Sequence, residues 1–274
     1  MSNENKIKEQ FEEMLNQTGY SLESFVEKKL KKTFFVSRQP YYLDEDSGQG
    51  RTLDLLAQVS YFQSEKNKQI IQLFLPIECK SLPDHAWIFF EGSFDLFNLI
   101  PEYVEHEKIS GYDKLKSISF IPLEDLFVSS ACAELRLTNK KKYKKSNNRE
   151  DNLYEAILSV VKATRHFMEY EKEKILHQLK LPKTKYKYVL SIYQPVIVFN
   201  GRMYEAKENN EKITLNNIKF AQLNKEYISK NYNEKLGRIH IVSYDALDEY
   251  VQIIKNHYNI KESAEEFRQR ILKS

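Results

Sequence analysis

Cysteine is scarce in this 274-residue sequence, which contains only Cys79 and Cys132. Because no Cys/His spacing accompanies them, this scarcity excludes a disulfide framework and a cysteine-ligated zinc site, and it fits a reducing compartment. Glycine and proline number 7 each, which leaves little room for flexible linkers. The sequence has no long apolar run and residues 1–10 are polar, so we expect neither a membrane span nor a targeting leader. These absences predict a cytoplasmic protein with no membrane partner.

The residues that are present predict a folded globular protein. Hydrophobic residues make up 41% of the chain and aromatic residues 13%, which is enough for a packed core. A chain of 274 residues can bury one substantial core or two small ones, and we predict a single domain over residues 1–274. The formal net charge of +3 is too small to indicate a nucleic-acid partner by itself.

Basic residues cluster between residues 136 and 149, around one tyrosine. The members that we assign to nucleic-acid binding are Lys140, Lys141, Lys142, Tyr143, Lys144 and Lys145. Such a run can neutralise phosphates and offer an aromatic ring on which a base stacks. A solvated loop is an equally good interpretation of the same residues.

Two stretches alternate in the manner of half-buried strands. Over residues 70–77 every second residue is apolar, and continued alternation places Glu78 and Lys80 on one face. Residues 51–61 alternate as well, with Asp54 on the more polar face. If the two strands pair as antiparallel neighbours, the side chains of Asp54, Glu78 and Lys80 converge.

A convergence of this kind has a chemical consequence. Two carboxylates held close together repel each other unless a cation lies between them, and a hard divalent cation prefers oxygen ligands. A neighbouring ammonium group can orient a metal-bound water, or stabilise the charge that builds up on a phosphorus atom under attack.

These residues resemble the motif of the PD-(D/E)xK, or restriction-endonuclease-like, nuclease superfamily. Its core runs helix, three strands, helix, strand, with an Asp on the second strand and Glu-x-Lys on the third. Asp54 and Glu78-Cys79-Lys80 match these positions. Many members also have a Glu in the first helix, and Glu23 is the matching residue here. Leu53 stands where the motif has proline, a departure that is common in the group.

The resemblance implies both a chemistry and a partner. It implies that Mg²⁺ or Mn²⁺ is bound by Asp54, Glu78 and the backbone carbonyl of Cys79, while Lys80 positions the attacking water. Glu23 is expected to hold a second water or metal. The resemblance further implies an endonuclease that hydrolyses phosphodiester bonds in nucleic acid, with DNA as the expected substrate and a homodimer as one option.

Each part of the motif also has a plainer interpretation. Glu-x-Lys occurs elsewhere, at Glu4-Asn5-Lys6, Glu27-Lys28-Lys29 and Glu205-Ala206-Lys207, but only Glu78 combines a strand pattern with an upstream Asp on the matching face. A carboxylate in a first helical turn, as predicted for Glu23, is favoured by the helix dipole by about 0.3–1 kcal/mol without any metal. The alternative functions are an inactive nucleic-acid-binding module on the same fold, and a structural subunit with a large apolar patch.

The periodicities predict an α/β (α+β) fold with a central mixed β-sheet flanked by helices. We predict a restriction-endonuclease-like core at residues 17–90 and 152–258, an insertion at 91–151 after the third core strand, and C-terminal strands and helices. The predicted helices are residues 3–16, residues 22–32 capped by Ser21, a crossover helix from Asn152, a helix capped by Asp245, and a helix at 262–272 opened by Ser263 and Glu266.

The predicted strands are residues 33–42, 51–61, 70–77, 186–199, 202–206 and 238–243. Asn200-Gly201 predicts a hairpin turn, and Pro76 predicts a bulge just before Glu78. Residues 44–50 predict a solvated hairpin connection, and Trp87–Phe90 a short strand or a lining of the cleft.

Overall fold

A computed structural model of the chain shows a large mixed sheet with helices on both faces. The structure describes residues 5, 7, 8, 11, 19–64, 69–91, 103–105, 127–137, 143–145, 152–179, 188–209, 212–224, 227–231, 233–234, 238–261, 263–266 and 269. The longer helices in these residues are α1 (Gly19–Leu30), α2 (Asn152–Leu179) and α3 (Leu247–His257), with a 3₁₀ turn at Tyr244–Ala246.

The strands of the first half are β1 (Phe35–Arg38), β2 (Tyr41–Asp44), β3 (Gln49–Thr52), β4 (Leu55–Ser64), β5 (Gln69–Glu91), β6 (Tyr103–Glu105), β7 (Phe127–Leu137) and β8 (Tyr143–Lys145). Those of the second half are β9 (Tyr188–Tyr193), β10 (Val196–Asn209), β11 (Lys212–Asn217), β12 (Phe220–Asn224), β13 (Tyr227–Ile228), β14 (Asn233–Glu234) and β15 (Arg238–Ser243).

The first predicted strand, residues 33–42, is in fact two strands in different sheets. β1 pairs with β4, whereas β2 and β3 form a separate antiparallel hairpin. Gln39 turns the chain between β1 and β2, and its φ of +48° lies in the left-handed region. The predicted strand 51–61 is divided in the same way, because β3 ends at Thr52 and β4 begins at Leu55. Leu53 therefore packs beside α2, and Leu55 packs on the opposite face.

Strand β5 is much longer than the predicted residues 70–77, and Trp87–Phe90 is its continuation. β4 pairs with it in an unbroken register from Leu55↔Ile77 to Phe62↔Ile70, so the predicted bulge at Pro76 is wrong. On the other side, the neighbour of β5 changes at this point from β9, which pairs up to Phe74, to β10, which pairs from Ile77. The missing N–H of Pro76 therefore leaves no ladder partner unsatisfied on that side.

The central strands follow the order β1-β4-β5-β10. The first two pairings are antiparallel, and β10 is parallel to β5. Helix α2 makes the crossover and buries the whole predicted apolar stripe, which is Leu153, Ile157, Val160, Val161, Thr164, Phe167 and Met168. The predicted mixed sheet and crossover helix are thus confirmed.

Asn200-Gly201 is not a hairpin turn, because β10 runs through both residues and includes the predicted return strand 202–206. The register against β5 shifts here from Asn200↔Ser81 to Arg202↔Ala86, so residues 82–85 bulge out opposite Gly201. A Cβ at Gly201 would clash with the ring of Phe199 and would lie 2.7 Å from the carbonyl oxygen of Leu82. Glycine is needed at this position for close approach and not for a turn.

The predicted insertion contributes to the same sheet as the core. β7 pairs antiparallel with the C-terminal part of β5 and parallel with β12. Because β12 pairs with β15 and β15 with β10, the strands β5, β10, β15, β12 and β7 form a closed circuit. The rings of Trp87 in β5 and Phe199 in β10 stack with their centroids 3.7 Å apart. They belong to a hydrophobic core that α2 covers.

Helices α1 and α3 cover the other face of the sheet. The predicted inward residues of α3 are buried, but its N-cap is Ala246, the last residue of the 3₁₀ turn, and not Asp245. The predicted capping box is present, since the Ser263 N–H donates to Glu266 Oε2 at 2.6 Å and the Glu266 N–H donates to Ser263 Oγ at 3.3 Å.

The predicted N-terminal helix is described only at single residues. Asn5, Ile7, Lys8 and Phe11 are helical. The side chains of Ile7 and Phe11 are 46% and 60% exposed, so they do not pack on the core as predicted. In the part of the chain that the structure describes, no helix is both long enough and apolar enough to cross a membrane.

Candidate active site

Asp54 stands where the chain enters β4. Because Leu55 pairs with Ile77 in an antiparallel ladder, Asp54 falls opposite Glu78. Its Oδ2 atom accepts a hydrogen bond from the Cys79 backbone N–H at 2.7 Å, and its backbone oxygen accepts one from the Gln39 N–H at 2.9 Å. The structure thus brings Asp54 to the 78–80 tripeptide, as the strand pattern predicts.

Glu78 and Lys80 extend from β5 toward α2. Glu78 Oε1 lies 3.0 Å from Lys80 Nζ, and Glu78 Oε2 accepts a hydrogen bond from Ser159 Oγ at 2.9 Å. Burial and the nearby charge of Asp54 raise the pKa of Glu78 to about 7. Burial lowers the pKa of Lys80, but the charge and hydrogen bond of Glu78 outweigh burial and the pKa is raised. Lys80 is therefore a cation at neutral pH, and it acts as a hydrogen-bond donor rather than as a base.

Glu23 approaches Asp54 from α1. Its side chain is buried, and its Oε2 atom has no hydrogen-bond partner. Burial and the charge of Asp54 raise the pKa of Glu23, against the opposing effects of Arg38 and a hydrogen bond from Gln39. Burial likewise raises the pKa of Asp54, against the hydrogen bond from the Cys79 backbone. Since α1 begins at Gly19, Glu23 lies beyond its first turn, and the helix dipole does not explain a carboxylate there.

Two residues that the sequence did not single out support Glu78. Ser159 of α2 donates to Glu78 and is itself hydrogen-bonded to the buried phenol of Tyr42. Burial raises the pKa of Tyr42, so its hydroxyl stays protonated. Glu155, Ser159 and Lys162 lie at i, i+4 and i+7 of α2, on one face. This polar stripe beside the apolar one is the signal in the sequence from which Ser159 could have been found.

A buried ion-pair cluster fixes the β2–β3 hairpin against α2. Lys162 Nζ lies 2.8 Å from Asp44 Oδ1 and 3.1 Å from Asp46 Oδ2, and Arg51 Nε lies 3.0 Å from Asp44 Oδ2. Burial raises the pKa of Asp44, but the hydrogen bonds and charge of Lys162 outweigh burial and the pKa is lowered. Asp44 is only 2% exposed, so the prediction of a solvated connection is wrong at this residue.

The hairpin and α2 enclose a cavity of about 550 Å³ that reaches Glu78 and Lys80. Besides these two residues and the ion-pair cluster, its lining includes Tyr42, Thr52, Glu155, Leu158 and Ser159. A cavity of this size that holds a buried carboxylate with a raised pKa beside a cation is a candidate site for a polar ligand.

The predicted nucleic-acid-binding residues lie only partly within the described chain. Lys140, Lys141 and Lys142 are outside the described residues. Tyr143, Lys144 and Lys145 form β8, which pairs with β7, so they belong to a strand and not to a loop. β7 in turn pairs with β5 from His85 onward, so β8 is attached beyond the 78–80 tripeptide. The assignment of these residues to nucleic-acid binding stays a prediction.

Carboxylates are the natural ligands for a cation in this site. In the described residues, no group of three or more His, Cys, Asp or Glu side chains is arranged to hold a metal ion. Asp54 and Glu78 form a pair, however, and Mg²⁺ is commonly bound by one or two carboxylates together with waters and substrate phosphates. Burial, and after it the charge of Asp54, raises the pKa of both Glu78 and Glu23, so a cation placed between these carboxylates would relieve their mutual repulsion. The donor set therefore fits a hard divalent cation.

In comparisons with known proteins, no family model, no curated protein and no solved structure matched the chain.

The pKa of Glu78 predicts how the stability of the metal-free protein depends on pH. In the folded state this pKa is about 7, and in an unfolded chain it is about 4.3. Between these values the folded state keeps a proton that the unfolded state has lost, so stability falls as the pH rises from about 4.3 to about 7. Urea denaturation of the wild type and of Glu78→Gln across this range measures the effect. If the stabilities of the two proteins changed with pH in the same way, Glu78 would not have a raised pKa in the folded state.

Proposed function

We propose that the protein is a metal-dependent nuclease that hydrolyses phosphodiester bonds, with DNA as the expected substrate. The observation that carries this proposal is that Asp54, which directly precedes β4, is hydrogen-bonded to the backbone of Cys79, between the paired side chains of Glu78 and Lys80 in β5. One ammonium beside a pair of carboxylates that it does not neutralise suits a site for a cation and a phosphate better than a plain ion pair.

The order of elements supports the proposal. Helix α1, strands β1, β4 and β5, helix α2 and strand β10 follow one another in the order expected for the PD-(D/E)xK core, with the β2–β3 hairpin, strands β6 to β8 and strand β9 as additions to it. Within this order Glu23 lies in the first helix, Asp54 directly precedes the second strand, and Glu78-Cys79-Lys80 lies in the third. The resemblance requires an acid at each of these positions, whereas a chance tripeptide does not.

Each residue has its own part in the proposed hydrolysis. Asp54 and Glu78 would hold Mg²⁺ or Mn²⁺, with the backbone carbonyl of Cys79 as a further ligand. When bound, the cation would stabilise the negative charge that builds up on the phosphate oxygens. Lys80 would orient the water whose oxygen forms the new bond to phosphorus as the bond to the leaving oxygen breaks. Ser159 would keep the Glu78 carboxylate oriented through its hydrogen bond.

Asp54→Asn tests the proposal, because it keeps the shape of the side chain and removes its charge. We expect Mg²⁺-dependent cleavage of a labelled oligonucleotide to fall about 10²-fold or more. Mn²⁺ affinity, measured by calorimetry, should fall as well, because a neutral amide oxygen is a weaker ligand for a hard cation. Asp248→Asn is the matched control, since Asp248 is an exposed aspartate of α3 paired with Lys29.

Two outcomes would contradict the proposal. Cleavage that survives in Asp54→Asn, or that does not need a divalent metal, would place the chemistry elsewhere. A wild-type protein that binds DNA but neither binds Mn²⁺ nor cleaves would favour the inactive nucleic-acid-binding module.

A further inference from the structure

The cavity beside Glu78 and Lys80 has the size of a nucleotide and not of a duplex. Its volume of about 550 Å³ lies within the range of pockets that take one small ligand, about 300–1,000 Å³. A B-DNA duplex has a major groove that is itself about 12 Å wide, so the whole duplex is wider still and does not fit inside a cavity of this volume.

The β2–β3 hairpin, which forms one wall of the cavity, is fixed by contacts on two sides. On the inner side, Lys162 of α2 binds Asp44 at 2.8 Å in a buried ion pair. On the outer side, Ser229 Oγ donates to Asp46 Oδ1 at 2.6 Å, and Asn231 Nδ2 donates to the backbone oxygen of Glu45 at 2.8 Å. Because buried charges are costly to separate, these contacts oppose a movement of the hairpin away from α2 that would admit a wider substrate.

The charge of the lining points in the same direction. The acidic lining residues are Asp44, Glu78 and Glu155, and the basic ones are Arg51, Lys80 and Lys162, so the two signs balance. Surfaces that track a duplex instead line up many cations along the phosphates. The three basic side chains can contact one or two phosphates, and Leu158 adds an apolar surface against which a base or a sugar can pack.

We propose that this cavity binds a nucleotide of an unpaired strand, so that the enzyme cuts single-stranded segments and strand ends in preference to an intact duplex. The inference rests on the proposed nuclease function and deepens it by naming the substrate class. The reaction is the same hydrolysis, in which water supplies the oxygen that bonds to phosphorus and the leaving oxygen departs with a proton.

Circular substrates of one sequence test this inference. A single-stranded circle, a relaxed covalently closed duplex circle, and a duplex circle with a short unpaired gap are incubated with the full-length protein and Mg²⁺ or Mn²⁺. We expect the single-stranded and gapped circles to be cut, and the relaxed duplex to be cut about 10²-fold more slowly, because its bases must first unpair. Equal rates on relaxed duplex and single strand would overturn the inference while leaving the nuclease function standing. No cleavage of any circle would overturn the nuclease function and this inference with it.

A cavity-filling variant tests whether the single-stranded nucleic acid lies in the cavity. Leu158→Trp puts bulk into the cavity without altering Asp54, Glu78 or Lys80, so we expect cleavage of the single-stranded circle to fall at least about tenfold, with Mn²⁺ affinity unchanged. Tyr170→Trp introduces the same indole ring at an exposed position of the same helix and should leave cleavage unchanged. Wild-type cleavage by Leu158→Trp would show that the strand lies outside the cavity and would overturn the inference.

Discussion

Replacing Lys80 with methionine should reduce cleavage about 10²-fold or more while Mn²⁺ binding is retained. The ammonium group lies 3.0 Å from Glu78 Oε1 and carries a raised pKa, so it is charged under assay conditions. Its removal takes away the group that orients the attacking water, but it leaves both carboxylates in place. The loss of its positive charge also removes a repulsion toward the metal, which helps to maintain affinity. Single-turnover cleavage and Mn²⁺ calorimetry above the pKa of Glu78 measure the two quantities separately.

The chain supplies its own control for this experiment. Glu205-Ala206-Lys207 is a second Glu-x-Lys tripeptide in a strand, with Lys207 Nζ 2.8 Å from Glu205 Oε1. Lys207 is exposed, and the neighbouring strands place Asn216 and Phe89 opposite Glu205, so Lys207→Met removes a Glu–Lys pair of the same spacing in a different setting. We expect this variant to cleave like the wild type. If Lys80→Met kept full activity, or if both variants lost activity equally, Lys80 would have no special part in the chemistry.

Lys162→Met should lower the free energy of unfolding by about 3 kcal/mol, which is the lower end of the range for breaking a buried ion pair. The lysine binds the carboxylate of Asp44, which is 2% exposed. Arg51 still contacts the other carboxylate oxygen, and this remaining partner limits the loss. Urea denaturation near neutral pH measures the change. Arg165→Met is the matched control, because Arg165 forms a more exposed i,i+4 pair with Glu169 on the same helix, for which about 0.3–0.5 kcal/mol is expected.

The effect of Lys162→Met should depend on pH in a defined direction. The pKa of Asp44 is lowered in the folded state, so its contribution is present above the unfolded pKa of about 3.9 and is lost as the pH falls through the folded pKa. The stability difference between wild type and variant should therefore shrink in acid. An unchanged stability near neutral pH would contradict the role given to this cluster in holding the hairpin against α2.

Much of the fold could be predicted because it follows from local periodicity. The apolar stripe of α2 and the alternation in β5 are repeats that the backbone geometry of a helix or a strand turns directly into a buried face. The capping box at Ser263 was predictable for the same reason, because both of its hydrogen bonds join residues three apart. Asp54, Glu78 and Lys80 could be proposed as neighbours because the faces of two adjacent strands follow from the same alternation.

The sequence-based predictions were wrong where a residue type that usually forms a turn or a bulge has a different role in the folded protein. Asn200-Gly201 has the composition of a hairpin turn, but this glycine serves the close approach of β5 and β10 at Leu82. Pro76 suggested a bulge, but it occupies the place where β5 exchanges one neighbour for another. Both outcomes depend on which strand lies alongside, and a local window of sequence does not contain that information.

By itself, the sequence determined the helices and strands with clear apolar periods, and the acid-and-lysine tripeptide at the end of a buried stretch. Only the tertiary structure decided what surrounds that tripeptide. Ser159 is 81 residues from Glu78, yet its hydrogen bond orients this candidate metal ligand. Lys162 is 118 residues from Asp44, yet their contact fixes the hairpin wall of the cavity. The physical reason is that periodicity is set by the backbone of a single element, whereas the shape and charge of a cavity are set by packing between elements far apart in the chain.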